Sequence, residues 1–101
     1  MGWATAHIKK LQSGAAVQFR PRGSSMKGRV NDGDLVTVAP LGDADPAVGD
    51  VVLCRVRGAE YLHLVKATRG QQFQIGNNRG GINGWVSRRS IFGVMRGPAR
   101  E

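Results

Sequence analysis

A mainly β single domain with a short N-terminal helix is the fold this sequence predicts. Fifteen glycines in 101 residues interrupt the chain too often for long helices. Between them lie short runs in which apolar and polar residues alternate, the period of a half-buried strand. The length suits a single domain with a modest core and is too short for two domains. The expected organisation is an N-terminal segment over 1–14, a β domain over 15–97 and a tail over 98–101.

Residues 3–12 have helical spacing, with Trp3, His7 and Leu11 on one side and Ser13-Gly14 as the stop. Ala15–Arg20 reads as a strand with Ala15, Val17 and Phe19 on one face, broken by Pro21-Arg22-Gly23. A serine-containing turn follows, then a strand at Leu35–Ala39 and a Pro/Gly/Asp-rich loop from Pro40 to Asp50. Val51–Arg57 and Glu60–Ala67 flank Gly58-Ala59, the spacing of a hairpin. Gln72–Ile75 is a further strand, Gly76–Gly84 a loop, and Trp85–Met95 the strand that closes the sheet.

Charge and cysteine usage narrow the function classes. The formal net charge of +8 permits an anionic partner. The basic residues are scattered, however, without aromatic interleaving, so nucleic acid is not the favoured partner. The single cysteine, Cys54, excludes an intramolecular disulfide and a cysteine-based zinc site, and its strand context predicts a small buried hydrophobe. No stretch approaches the roughly 20 apolar residues that span a bilayer, and the first 20 residues lack a signal-peptide core. A cytoplasmic protein without a membrane partner is expected, and no metal or cofactor is expected.

One stretch carries chemistry. Gly23-Ser24-Ser25-Met26 places serines in a glycine-flanked turn, just before Asp32-Gly33-Asp34-Leu35-Val36. A serine hydroxyl becomes a nucleophile when a neighbouring base takes its proton. The candidate bases are His63 and Lys66. Strand alternation puts Tyr61, His63 and Val65 on one face and Leu62, Leu64 and Lys66 on the other, so both bases cannot serve one nucleophile without a bulge. An imidazole with a pKa near 6.5 accepts a proton at pH 7 without tuning. A lysine would need its pKa lowered by about three units through burial.

Taken in order, Gly23-Ser24-Ser25-Met26, Asp32-Gly33-Asp34-Leu35-Val36-Thr37-Val38 and Val48-Gly49-Asp50-Val51-Val52 resemble the core of the LexA-like and signal-peptidase superfamily. Ile75-Gly76-Asn77-Asn78-Arg79, and then Ser87-Arg88 through Ile91-Phe92-Gly93-Val94, resembles the closing region of signal peptidases. The resemblance spans roughly residues 17–97. It implies a coiled, β-rich peptidase fold with Ser25 as nucleophile. In bacterial signal peptidases and LexA-like proteins the base is lysine; here Tyr-Leu-His-Leu-Val-Lys puts His63 at that place, as in the histidine-using signal peptidases of the endoplasmic reticulum and archaea. Lys66 is the alternative base. Oxyanion or orienting candidates are Ser24, Met26, Asn83 and Ser87. The chain departs from the pattern in three places: Gly28 replaces the proline after Ser-Met, Gly23 replaces an oxyanion serine, and Gly80–Gly84 supplies no acidic residue.

The resemblance therefore implies a serine endopeptidase with a Ser25–His63 dyad, acting on a protein or peptide substrate or on itself. A second reading is a LexA- or phage-repressor-type regulatory domain that forms homodimers. The 24 residues before Ser25 are too few for a helix-turn-helix plus a cleavage loop, and no Ala-Gly cleavage site lies upstream. A third is a catalytically silent basic binding module.

Overall fold

The computed structural model describes residues 3–21 and 30–98. These described residues form a helix, α1 (Thr5–Gln12), and seven strands: β1 (Val17–Phe19), β2 (Val36–Ala39), β3 (Val51–Val56), β4 (Ala59–Arg69), β5 (Gln72–Gly76), β6 (Ile82–Ser87) and β7 (Ile91–Pro98). A 3₁₀ turn at Arg88–Ser90 joins β6 to β7. All strands pair antiparallel in one sheet of order β1-β2-β7-β3-β4-β5-β6. The sheet curls enough for β6 to return towards β3, where Gly84 faces Val56. The predicted mainly β domain with an N-terminal helix is what forms.

Alternation along the central strands feeds two cores, one on each face of the sheet. Val51, Leu53, Leu62 and Leu64 join α1, β1, β2 and Val30 in the first. Val52, Cys54, Val56 and Val65 join Phe73, Ile75, Val86, Ile91 and Val94 in the second, with Tyr61 packed against it. At roughly 25 cal/mol per Å² of apolar surface removed from water, these two layers are the main force holding so small a sheet together. Cys54 is fully buried in the second core, as its context predicts.

The two Gly-Asp turns share one construction. In the first, Asp34 N donates to Asn31 O at 3.0 Å and Asn31 N donates to Asp34 Oδ2 at 3.0 Å. In the second, Asp50 N donates to Ala47 O at 3.0 Å and Ala47 N to Asp50 Oδ2 at 2.9 Å. The third residue of each turn has positive φ, +88° at Gly33 and +97° at Gly49, which is why glycine stands there. The carboxylate then caps the turn and releases the chain into β2 or β3.

Several expectations shift. The helix buries Ala4, Ile8 and Leu11, an i, i+4, i+7 stripe, while Trp3 and His7 share a side, with ring centroids 6.4 Å apart, next to that stripe. The aliphatic stripe has no polar atoms to satisfy and takes the core. Trp3 stays 54% exposed, with its Nε1 donating to Glu60 O at 3.3 Å, and His7 stacks on Phe19 at 4.4 Å. The strand expected from Ala15 is only Val17–Phe19, and Ala15 is exposed. The hairpin turn is Arg57-Gly58, one residue earlier than expected, because Val56 pairs with Ala59. Both turn residues have positive φ, 53° and 84°, the geometry whose twist matches a two-residue hairpin. The single strand expected over Trp85–Met95 is two strands, split by the 3₁₀ turn and paired in distant parts of the sheet. Ile82–Gly84 belong to β6 rather than to the loop, and Pro98, expected in the tail, pairs with Val36.

Candidate functional site

The site is built where β4 passes the end of β5. His63 pairs with Val52 in β3 and shares its face with Tyr61 and Val65, whose side chains pack on the second core. Its ring is 7% exposed and stacks on Tyr61 with centroids 4.8 Å apart. Nδ1 lies 2.7 Å from Asn83 Oδ1. An amide oxygen only accepts, so Nδ1 carries the proton and the lone pair sits on Nε2. Burial holds the imidazole below its ordinary pKa, against a smaller upward pull from the Asn83 hydrogen bond. The ring is therefore neutral at pH 7.

Asn83 reaches the ring because β6 is irregular at that residue. Gly84 stands opposite Ile75 and Ile82 opposite Gly76, leaving Asn83 as an extra residue in the ladder. A bulge takes a side chain out of strict alternation and re-aims it. Below, the 77–81 loop closes on itself: Asn77 Oδ1 accepts from Arg79 N and Gly81 N, each at 2.8 Å, and Asn77 N donates to Gly81 O at 2.9 Å.

Lys66 is placed differently. β4 carries its own bulge there, between Val65 and Ala67. Even so, Lys66 remains on the face opposite His63: its Cγ lies over Gly76, which pairs with Leu64 of the first core. The ammonium donates to Asn77 O at 3.1 Å. A Cβ on Gly76 would stand 2.4 Å from Gly81 O and 3.0 Å from Lys66 Cγ, so only glycine allows this crossing. The expectation that the two bases point to opposite faces holds.

Of the remaining candidates, Ser87 lies outside the site. It pairs with Gln72 at the far end of β6 from Asn83, so it cannot orient His63. Ser24, Ser25 and Met26 lie outside the described residues. The described chain on either side of them is anchored: Arg20 donates to Gly33 O at 2.7 Å, Gly33 N to Pro21 O at 3.3 Å, and Val30 is buried in the first core. Alternation places Tyr61 on the face of His63; what sequence reasoning did not assign is that the two rings stack.

Among the described residues, no three His, Cys, Asp or Glu side chains gather to hold a metal. Among them, too, no helix is long and apolar enough to cross a membrane. No family model, curated protein or solved structure matches the chain.

Proposed function

We propose that the protein is a serine peptidase of the LexA-like and signal-peptidase type, with Ser25 as nucleophile and His63 as base. The observation that carries the proposal is His63 itself. It is a buried, neutral imidazole whose Nδ1 proton is held by Asn83, which leaves Nε2 as the basic end. A polar side chain set between Leu62 and Leu64 and fastened by one amide has the form of an oriented general base. The two Gly-Asp turns opening β2 and β3 support the same reading.

In this mechanism Ser25 Oγ attacks the carbonyl carbon of a peptide bond while its proton passes to His63 Nε2. The resulting imidazolium protonates the leaving amine, and an acyl-serine remains. Water then attacks the acyl carbon, giving its proton to Nε2, and the acid is released as the proton returns to Ser25. Backbone amides and the Ser24 hydroxyl are the candidate oxyanion donors. Asn83 is a positioning residue: it keeps the tautomer and orients the ring. Lys66 is spent on the Asn77 carbonyl, on the other face. The substrate class is a protein or peptide, and the free, buried Cys54 suits a reducing, cytoplasmic setting.

Covalent labelling by a fluorophosphonate tests the assignment. Labelling is expected in the wild type and in Lys66→Ala, and lost in Ser25→Ala and His63→Ala. Loss in Lys66→Ala with retention in His63→Ala would overturn it.

A further inference from the structure

Beyond Glu60 the acidic residues vanish from the chain. From Tyr61 to Arg100 the sequence holds Lys66, Arg69, Arg79, Arg88, Arg89, Arg96 and Arg100 and not one carboxylate. Apart from Glu101, the acidic residues all lie within 32–60. Part of that span, β4 beyond Glu60 with β5 and β6, forms one end of the sheet and holds no carboxylate.

The outer face of these three strands is polar and open. Ala67, Gln74 and Trp85 stand in one cross-strand row, and Arg69, Gln72 and Ser87 in the next row on the same face. The intervening row sends Phe73 and Val86 to the opposite side, into the second core. Arg69 and Gln72 are exposed, and the Trp85 indole is 38% exposed. The Arg69 guanidinium lies 4.8 Å from the Trp85 ring centroid. Just past Ser87, Arg89 is exposed, while Arg88 turns to the 42–45 loop and pairs with Asp45 at 2.8 Å.

We propose that this face binds single-stranded nucleic acid, with a base stacking at Trp85 and Arg69 and phosphates drawn by Arg69 and Arg89. A part-exposed indole with a guanidinium plane over it offers a stacking surface to any base, and the arginine charges neutralise the backbone. Glutamines 72 and 74 add amide donors and acceptors without negative charge. An acidic peptide would use the cations but has no need of the indole, so the exposed tryptophan favours nucleic acid. The juxtaposition is invisible in the sequence, where Arg69 and Trp85 belong to different strands, and it is independent of the Ser25–His63 reading.

Fluorescence anisotropy with a labelled 12-nucleotide single strand, against the full chain, tests it. Expected are measurable binding at low salt that weakens steeply as salt rises, and about tenfold loss in Trp85→Ala. Trp85→Phe should recover most of that loss, and Arg69→Ala should weaken binding and flatten the salt dependence. Circular dichroism confirms that each variant is folded. The proposal is overturned if the single strand fails to bind, or if Trp85→Ala binds as well as the wild type. It also fails if a duplex or a polyglutamate of equal length competes as well as the single strand.

Discussion

His63 Nδ1 and Asn83 Oδ1 stand 2.7 Å apart, although they are twenty residues apart in the chain, with the whole of β5 between their strands. The contact exists because β5 ends at Gly76 and the bulge at Asn83 brings β6 across that end. An amide there orients the imidazole without adding charge.

Exchange at Asn83 should therefore separate orientation from charge. Asn83→Ala is expected to slow fluorophosphonate labelling about tenfold or more, since a positioned general base contributes roughly 10²–10⁴-fold in all. Asn83→Asp should retain labelling and move its acid limb to higher pH, because a carboxylate raises the pKa of a neighbouring imidazole. An unchanged pH profile in Asn83→Asp would show that the two residues are not coupled.

Stability should follow the same titration. The imidazole of the unfolded chain titrates near 6.5, and burial places the folded value lower. Between the two values the unfolded chain holds more protons, so acid favours unfolding. The contribution of His63 is complete above pH 6.5 and declines as the pH falls through the folded value. Urea midpoints measured between pH 7.5 and pH 5 should fall less in His63→Gln than in the wild type.

Gly76→Ala should destabilise the domain by about 1–3 kcal/mol, the usual cost of forcing atoms into a filled space. Its Cβ would meet a backbone carbonyl at 2.4 Å and the Lys66 stem at 3.0 Å, and the carbonyl is tied by its bond to Asn77. A urea midpoint equal to that of the wild type would contradict this account.

Cys54 should resist thiol reagents while the protein is folded. Burial pushes its pKa up to about 12, so the reactive thiolate is scarce even where reagent could reach it. At pH 8, labelling should proceed at the rate of opening and become fast in denaturant. Rapid modification of the native protein would refute the packing described for the second core.

Much of this arrangement was legible in the sequence, for reasons that can be traced to particular residues. The faces of β4 followed from period-two alternation, which placed Leu62 and Leu64 in one core and Tyr61 and Val65 against the other. The twin turns followed from Gly-Asp pairs whose glycines need positive φ. The break at Arg88–Ser90 was hidden, because a 3₁₀ turn there uses no glycine or proline. Misreading it joined Trp85 to Ile91 in one strand, whereas β6 and β7 pair in different parts of the sheet. The buried face of the helix was only partly legible: Leu11 lies on it, with Ala4 and Ile8, which sequence reasoning did not single out. The pairing of Asn83 with His63 depended on a bulge, which no local pattern announces.

The position of β7 also governs how the molecule can come into being. β7, which follows the other described strands in the chain, lies between β2 and β3 and pairs with both. During synthesis β3 to β6 can assemble as a meander, but β1 and β2 have no route into the sheet until residues 91–98 arrive. The first core, which needs helix and sheet together, thus closes only once residues 91–98 have been made. Deleting residues 91–98 would remove the middle of the sheet rather than trim its margin.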